Sequence, residues 1–556
     1  MMKKTFKQLL GLTLSAAMVI SMAGCGNEAT KNTETQAVSK ETETTQAKES
    51  ETQVVEEELT YPLDSDEKIT LWTHRLTLNS EYSSYTESPF HTGLAKQTGV
   101  DIEFLFPNSG QSYVEGFNLL LTQKVLPDVI FKATNNTELS ELCRDGVIYD
   151  LTPYLEEYAP DYWAYINAPE NEDIYRAVVT EDGKVLAFYG FRESDFGITY
   201  TGPMIRQDWL DECGLPTPVT LEDWENVLTV FKEKYNATLG VASGSFKGVF
   251  MASGAGAMST GANGYPTTFY RDDNGKLQFA QLQPEWVEYI KILNRWYEAG
   301  LLDNDSVTMD AAALRTKAVN NQIGASIGAM SQLTNFTVDA EAAGSDAKWV
   351  GVSYPRTAPG EPTSMIQYGT RNIGSGAFVT TSCPEDRLIT VLKVLNYGYT
   401  EEGMMFYNFG EEGLSYTLNA AGEPEWTDVV LNDAQGISNA INKYTGATSA
   451  PIGVQLDRFV QLKNNELASE AVFTWIDNTK VADHYLPNME LTEDEKLAFV
   501  DKYNAIQTYI QEMTQKFIMG DESLDNIDAF YKTLDEMELQ DCIKIYNAAY
   551  ERWLAK

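Results

Sequence analysis

Cysteine and histidine are the residues that most often bind metals or act as nucleophile and base, and their spacing here favours neither role. The chain has five cysteines and three histidines. The histidines His74, His91 and His484 are far apart, and neither an HExxH motif nor a P-loop occurs. Four of the cysteines form no CxxC pair, and their spacing assigns no disulfide: Cys143, Cys213, Cys383 and Cys542. We therefore expect no metal site, no cofactor and no catalytic residue.

The fifth cysteine lies in a setting that predicts a covalent modification. A lysine-containing start is followed by an apolar stretch over residues 9–23, and small residues stand directly before Cys25. The pattern resembles a bacterial lipobox, with Met22 where leucine is commoner. An uncleaved membrane anchor is the alternative, but the stretch is shorter than the ~20 residues that span a bilayer. We expect residues 1–24 to be a lipoprotein signal peptide and Cys25 to be lipidated, which would hold the protein to a membrane.

The composition indicates a globular and strongly acidic protein. Of 556 residues, 43% are hydrophobic and 11% aromatic, which is enough for a substantial core. Asp and Glu outnumber Lys and Arg by 81 to 41, giving a formal net charge of -40. Proteins bind nucleic acids by neutralising phosphates with Lys and Arg. We therefore exclude nucleic acid as a partner.

The order of predicted elements indicates an α/β protein. Residues 25–60 are rich in Thr, Glu and Gln and read as a disordered spacer. Three strands are predicted within residues 68–75, 100–107 and 126–131, and residues 113–123 between them have helical spacing. Strands alternating with helices are typical of a layer with parallel strands.

The rest of the chain is predicted to be mostly helical, with two further short strands. Thr220 and Thr492 each precede an acidic residue three positions on, the pattern of a capping box at the start of a helix. A helix containing Trp286 and Trp296 is predicted to end at Gly300, and further strands are predicted at residues 324–330 and in the FVTT phrase.

Several phrases, taken in order, resemble one known family. They are LPDVIF, GVIYDLTPYLEEYAP, EDGKVLAFYG, MIRQDWLDECGLPTPVTLEDWENVL, WYEAGLLDND, FYNFGEEGLSYT, FIMG and IYNAAYERW. The chain resembles the extracellular solute-binding proteins of carbohydrate ABC importers, in the branch that includes oligosaccharide and aldouronate uptake. Where that branch has a proline soon after the DGK segment, this chain has Tyr189 and Gly190.

The resemblance implies a periplasmic-binding-protein-like (type II) fold, in which two α/β lobes are joined by a hinge and the ligand cleft lies between them. On that basis we expect an N-terminal lobe formed by residues 61–200 plus 325–405. The C-terminal lobe would be formed by residues 201–324 plus 406–556. Ligands in open α/β sheets bind beyond the carboxyl ends of the strands.

Under this resemblance, sugar-binding residues are expected just past strand ends and at the hinge, because aromatic faces pack on pyranose rings and polar side chains pair with hydroxyls. The candidates are Trp72, His74, Arg75, Lys132, Thr134, Asn135, Tyr189, Phe191, Arg192, Arg206, Asp208, Phe246, Met330, Gln332 and Tyr368.

Each candidate also has a structural alternative. Trp72 could belong to the core, Asp208 could be placed by a helix dipole, and Arg192 and Arg206 could pair with surface acids. The DDNGK segment before residue 277 could suggest calcium but reads more readily as a turn.

The function implied is a membrane-anchored extracellular receptor that captures an oligosaccharide and delivers it to the permease subunits of an ABC transporter. We expect a monomer on the outer face of a Gram-positive cell. Two alternatives remain open: a glycan-cleaving enzyme, which needs two suitably spaced carboxylates, and a sensory lipoprotein that feeds a membrane kinase. If the ligand is a uronic-acid oligomer, Arg75, Lys132, Arg192 or Arg206 should offset its charge.

Overall fold

The structure is a computed structural model that describes residues 59–73, 87–108, 110–244, 250–259, 261–262, 265–266, 268–447, 452–486 and 489–556. Residues Leu59–Lys556 form one compact unit. Among the described residues, no helix combines the length and the apolar character needed to cross a membrane.

Sixteen short strands are present in the described chain. They are β1 (Lys68–Thr73), β2 (Asp101–Leu105), β3 (Val129–Ala133), β4 (Phe188–Arg192), β5 (Thr201–Arg206), β6 (Thr238–Val241), β7 (Gly261–Ala262), β8 (Tyr265–Pro266), β9 (Phe269–Arg271), β10 (Leu277–Phe279), β11 (Ile323–Ala329), β12 (Trp349–Gly351), β13 (Asn372–Val379), β14 (Tyr416–Leu418), β15 (Pro424–Trp426) and β16 (Gly453–Gln455).

The described α-helices surround the strands. They are α1 (Pro89–Thr98), α2 (Tyr113–Leu120), α3 (Asn136–Arg144), α4 (Thr152–Tyr158), α5 (Pro160–Asn167), α6 (Glu172–Val178), α7 (Gln207–Cys213), α8 (Leu221–Tyr235), α9 (Pro284–Glu298), α10 (Ala311–Val319), α11 (Met330–Ala342), α12 (Glu385–Asn396), α13 (Glu401–Phe409), α14 (Asp428–Leu431), α15 (Ile437–Tyr444), α16 (Asp457–Lys463), α17 (Glu466–Ile476), α18 (Val481–His484), α19 (Glu493–Met519), α20 (Ile527–Glu536) and α21 (Leu539–Ala555). The capping boxes predicted at Thr220 and Thr492 are confirmed at the starts of α8 and α19.

The first sheet has six strands in the order β16-β4-β13-β3-β1-β2. The predicted strands β1, β2 and β3 are confirmed and pair in parallel. The sheet is nevertheless mixed, because β13 runs antiparallel to both β3 and β4. Its core is aliphatic and aromatic, and Tyr162, Phe188, Phe191 and Tyr399 are grouped in one buried cluster.

The second sheet has four strands in the order β12-β5-β11-β6. Strand β11 pairs antiparallel with β5 and parallel with β6. This pairing places residues 323–329 in the second sheet, whereas the sequence-based boundary assigns residues from 325 to the N-terminal lobe. The reason is that β11 and the later strand β13 are both short apolar runs, and only their pairing partners distinguish them.

The chain crosses between the two sheets three times. The first crossing, residues 193–200, joins β4 to β5, and the second, residues 352–371, joins β12 to β13. The third, residues 456–465, runs from β16 of the first sheet to α17, which packs on β5 and β12 of the second. A hinge of several crossing segments is therefore present.

Two motifs that could have indicated a calcium site or a catalytic serine have structural roles instead. In DDNGK, the Asp272 carboxylate accepts hydrogen bonds from the backbone N–H of Asn274 and Lys276, so the segment is the turn of the β9–β10 hairpin. Residues 324–328 have the GxSxG spacing of a hydrolase nucleophile. Ser326, however, lies within β11, fully buried, and donates to the Gly240 carbonyl at 2.8 Å. A serine held inside a sheet in this way is not placed to attack a substrate.

Packing of α17 on the second sheet allows a direct test at Gly202. A Cβ at Gly202 would lie 2.4 Å from the indole of Trp475, which is buried and donates to the Pro203 carbonyl at 3.0 Å. We expect Gly202→Ala to destabilise the protein by about 1–3 kcal/mol, because the indole cannot move without losing this bond. Thermal unfolding measures the loss. The control is Gly369→Ala, whose Cβ would meet its nearest neighbour at 3.7 Å; equal losses for the two variants would contradict the prediction.

Candidate functional site

A large cleft lies beyond the ends of β3 and β4, and all three crossing regions contribute to its lining. Its volume is about 1400 Å³. Residues at the end of the first sheet form one wall, and residues of α17 to α19 and α21 form much of the other. Glu193 to Ile198, Tyr368 to Arg371 and Asp457 lie at the hinge end. The cleft therefore combines the hinge with both sides of the fold.

The wall from the first sheet is polar and held rigidly. Asn135 caps α3 by accepting from the backbone N–H of Glu138 at 3.0 Å. The next residue, Asn136, accepts from the Tyr189 hydroxyl at 2.9 Å and donates to the Ala177 carbonyl at 3.1 Å. Because these side chains are tied to strand and helix ends, they keep their positions in the wall.

The opposite wall is rich in aromatic rings. Phe499 stacks on Tyr503 with ring centroids 4.6 Å apart and on Tyr546 at 5.7 Å. Phe473 lies nearer the hinge, where it packs against Phe196 at 4.8 Å and is 52% exposed. An aromatic ring left half exposed inside a cleft offers an apolar surface to a ligand.

The cations that line the cleft are all engaged by neighbouring groups. Arg371 forms a forked pair with Asp173, and Lys496 contacts Glu141 at 3.0 Å. The other three bond as follows: Arg176 to Glu172 and the Trp553 carbonyl, Arg271 to the Ala482 carbonyl, and Lys556 to Glu490 and the Val179 carbonyl.

Three acids at the hinge, Glu193, Asp195 and Asp457, are bonded to neutral groups. Ser194 donates to the Asp457 carboxylate, the Tyr368 hydroxyl donates to Asp195 at 2.9 Å, and Glu193 accepts from the backbone N–H of Asp457 at 2.7 Å. Among the described residues, none of the three carboxylates forms an ion pair. Burial, reinforced by the negative charges of Glu193 and Asp195, raises the pKa of the Asp457 carboxyl. We call these three residues the hinge acids.

Of the fifteen candidate residues from the sequence, four line the cleft: Thr134, Asn135, Tyr189 and Tyr368. His74, Arg75 and Phe246 lie outside the described residues, as does Cys25. The other eight are described but do not line the cleft: Trp72, Lys132, Phe191, Arg192, Arg206, Asp208, Met330 and Gln332.

Two of these eight are core aromatics. Trp72 is buried and stacks on Tyr113 with ring centroids 5.6 Å apart. Phe191 is fully buried and stacks on Tyr165. Side chains alternate across a strand, so position near the strand end did not decide which face each ring occupies.

Four more are charged side chains with structural partners. Lys132 is buried and paired with Glu138, and Arg192 donates to the Thr370 carbonyl at 3.1 Å. Arg206 is forked onto Asp208 and stacks over Trp209 at 4.1 Å, on a smaller pocket of the second sheet. Each of these cations is held by groups of its own neighbourhood.

The last two belong to the start of α11. The backbone N–H of Met330 donates to the Tyr200 carbonyl at 2.8 Å. Gln332 turns back over β11 and donates to Ser326 at 3.1 Å. Gly328 leaves room for this amide, since a Cβ there would meet it at 2.6 Å.

The sequence analysis missed the hinge acids and Phe473. Residues 193–195 directly follow β4, so the rule that ligands bind beyond strand ends would have identified them. The candidates were instead taken from within the strand. No comparable signal marks Asp457 or Phe473. The place of Asp457 depends on the late pairing of β16 with β4, and that of Phe473 on the packing of α17 against β5 and β12.

Comparison with known proteins agrees with this architecture. Residues 79–405 match the family described as bacterial extracellular solute-binding protein. The chain is 25% identical over 353 residues to lipoprotein LipO of Bacillus subtilis (strain 168), covering 61% of this chain and 66% of that protein. It is also 25% identical over 288 residues to the fructooligosaccharide ABC transporter substrate-binding protein FusA of Streptococcus pneumoniae serotype 4, covering 48% and 51%.

The fold extends the similarity over most of the described chain. The crystal structure of an extracellular solute-binding protein from Bifidobacterium longum subsp. infantis superposes with a TM-score of 0.69 at 18% identity, covering 87% of this chain and 98% of that one. The fold is therefore the expected type II periplasmic-binding-protein-like fold. The family model matches more than half of the sequence, and the chain belongs to the bacterial extracellular solute-binding proteins. In sequence it spans about half to two thirds of the length of the two curated relatives.

The buried charge of Asp457 leads to a pH-dependent prediction. Because its carboxyl pKa is raised in the folded protein, the folded state binds this proton more tightly than the unfolded chain. The contribution of this group to stability is therefore greatest at acidic pH and is lost as the pH rises through the raised pKa. We expect Asp457→Asn to raise the midpoint of thermal unfolding at pH 7, and the gain to shrink as the pH approaches 4.

Unfolding curves recorded from pH 7 to pH 4 measure this effect. The control is Glu233→Gln, an exposed residue on α8 that changes the net charge equally. A lower midpoint for Asp457→Asn at pH 7, or the same pH-dependent gain in the control, would contradict the prediction.

Proposed function

We propose that the protein is a receptor that captures an oligosaccharide in the cleft and delivers it to the permease subunits of an ABC transporter. The observation that carries this proposal is the cleft itself. Its volume of about 1400 Å³ exceeds the roughly 300–1000 Å³ typical of sites for drug-sized ligands. A chain of several sugar rings would use a site of this size.

The lining suits sugars. Exposed rings such as Phe473 can pack on the C–H faces of pyranoses, and the amides and carboxylates of the other wall and the hinge can pair with hydroxyls. The relatives give support in the same direction. FusA is named for fructooligosaccharides, and a further relative, YtcQ of Bacillus subtilis (strain 168), is named for polygalacturonan and rhamnogalacturonan.

Binding is proposed to close two lobes about the crossing segments. We assign residues 59–192 and 372–455 to the first lobe and residues 201–351 and 466–556 to the second, following the sheet pairings and their packed helices. This places the return crossing later than the sequence analysis did. Hinge closure around a ligand is a well-known motion of two-lobed binding proteins.

Two ion pairs join these lobes, and the residues of the first line the cleft. Lys496 of α19 pairs with Glu141 of α3, and Arg552 of α21 pairs with Glu181 at 2.6 Å. Opening the cleft on this side would break both pairs. Exposed ion pairs contribute only about 0–1 kcal/mol each, so they can favour closure without preventing release of the ligand.

The proposal includes no covalent chemistry. Binding proteins of this kind transfer a solute unchanged, and we propose that the carboxylates of the cleft act as hydrogen-bond acceptors. The protein is proposed to act as a monomer.

Truncation of Phe473 tests the binding site. We expect Phe473→Ala to weaken oligosaccharide binding about tenfold or more, equivalent to about 1.4 kcal/mol, because an apolar surface for a sugar ring is lost. Isothermal titration calorimetry against a panel of oligosaccharides first identifies a ligand and then measures the change.

The matched control for this variant is Val338→Ala on α11, since Val338 is 53% exposed and does not line the cleft. Its affinity should equal that of the parent protein. Failure of the parent to bind any oligosaccharide, or products shortened during incubation, would contradict the proposed function.

We also propose that Cys25 is lipidated and holds the receptor on the outer face of the membrane. Expression in a Gram-positive host with labelled palmitate should label the parent protein and leave Cys25→Ser unlabelled, because only the thiol forms the thioether. The Cys25→Ser protein, which lacks the lipid, should appear in the culture medium. As a control, Cys213→Ser should keep both the label and the membrane association; a labelled Cys25→Ser protein would refute the assignment.

A further inference from the structure

We infer that the hinge end of the cleft accepts uncharged sugar rings and rejects uronic acids, and that the hinge acids Glu193, Asp195 and Asp457 make this distinction. The inference rests on the proposed function, because it concerns the ligand of the same cleft. It names a class of ligand and the residues that select it.

The hinge acids are brought together by backbone pairing. Parallel pairing of β16 with β4 sets Gln455 opposite Arg192, so that the residues following each strand emerge side by side. The Glu193 N–H donates to the Gln455 carbonyl at 3.0 Å, and the Asp457 N–H donates back to the Glu193 carboxylate at 2.7 Å. The positions of these carboxylates are thus set by the two strands.

The local charge of this cluster is not compensated within the described chain. Arg371 is a cleft cation that interacts electrostatically with Asp195. Its guanidinium, however, donates its hydrogen bonds to Asp173, Asn171 and the Glu170 carbonyl. A uronate placed beside the hinge acids would therefore meet negative charges in a partly desolvated site. Juxtaposed like charges of this kind oppose binding and are a common source of specificity.

One carboxylate oxygen of the cluster has no hydrogen-bond donor within the described part of the chain. The Oδ1 atom of Asp457 is excluded from solvent and has no hydrogen-bond partner among the described residues. A carboxylate accepts hydrogen bonds and donates none, whereas a sugar hydroxyl can donate. The hydroxyls of a neutral ring would offer donors to the carboxylates that line the hinge end of the cleft, while the ionised carboxylate of a uronic acid would not.

The cations that the sequence analysis assigned to a uronate do not reverse this balance. Lys132, Arg192 and Arg206 do not line the cleft themselves: Lys132 pairs with Glu138, Arg192 donates to the Thr370 carbonyl, and Arg206 pairs with Asp208. Arg75 lies outside the described residues. Of the cations that line the cleft, Arg176, Arg371, Lys496 and Lys556 are each bonded to an acid, and Arg271 is bonded to the Ala482 carbonyl. The charge at the hinge end is therefore negative.

The test is a calorimetric panel in which each neutral oligosaccharide is paired with the uronic-acid oligomer of the same linkage and length. One suitable pair is α-1,4-linked oligogalactose and oligogalacturonate. The salt concentration is kept near 0.15 M, where the Debye length of about 8 Å screens the distant charges of this acidic protein. We expect the neutral member of a bound pair to bind at least tenfold more tightly.

Two variants connect this preference with the hinge acids. Asp195→Asn and Asp457→Asn should each reduce the ratio of neutral to uronate affinity by about threefold or more, because each removes one negative charge from the hinge end. Glu233→Gln, which removes a distant charge, should leave the ratio unchanged. Thermal unfolding of each variant verifies that the fold is kept.

The outcomes separate the inference from the proposed function. Equal or tighter binding of the uronate overturns the inference while supporting oligosaccharide capture. An unchanged ratio in both folded hinge variants overturns the role of the hinge acids. If no oligosaccharide of either kind binds, the proposed function fails, and the inference fails with it.

Discussion

The buried amide of Gln367 holds the first two crossing segments together, and the geometry of the cleft depends on it. Its oxygen accepts from the backbone N–H groups of Tyr200 and Thr201 at 2.7 and 3.1 Å, and its nitrogen donates to the Ile198 carbonyl at 3.1 Å. The side chain is 2% exposed. Each bond contributes about 0.5–1.5 kcal/mol, and leaving these buried groups unpaired would cost more. The two crossings therefore behave as one element at the pivot.

The same connection is continued by Tyr354 and by the hinge acids. The Tyr354 hydroxyl accepts from the Gln367 N–H at 3.3 Å and donates to the Thr201 carbonyl at 2.8 Å. The third crossing joins the first through Asp457 and Ser194. The hinge acids, which we propose select the ligand, thus belong to the same hydrogen-bond network as the crossing segments. The ion pairs Lys496–Glu141 and Arg552–Glu181 on the far side are partly exposed, and Arg176 and Lys556 bond across the same side to the Trp553 and Val179 carbonyls.

Local features of the sequence predicted local structure well. Alternating and β-branched residues gave β1 to β3, and the capping boxes at Thr220 and Thr492 gave the starts of α8 and α19. Family resemblance supplied the type II fold. The sheet to which a strand belongs was harder to predict, because β11 and β13 are both short apolar runs and differ in whether they pair with β5 or with β3.

The site was predicted less completely for a related reason. Asn135 could be found because it closely follows β3, and Tyr189 because it lies in the strand after the DGK segment, whereas Phe473 reaches the cleft through α17, far along the chain. Trp72 and Phe191 were assigned to the ligand because propensity identifies a strand without fixing which face packs inward. The face that a strand residue occupies is decided by register, and for Phe191 that register depends on β13 and β16, which lie far along the chain.

That separation has a consequence for how the protein is made. The first sheet contains β1 to β4, yet its central strand β13 begins at Asn372 and its edge strand β16 at Gly453. A growing chain therefore carries apolar strands that lack their neighbours until most of the protein has been synthesised. Such unpaired edges favour aggregation, and non-local pairings form slowly. The late strands that complete the first sheet thus leave the newly made chain prone to aggregation until β16 has been synthesised.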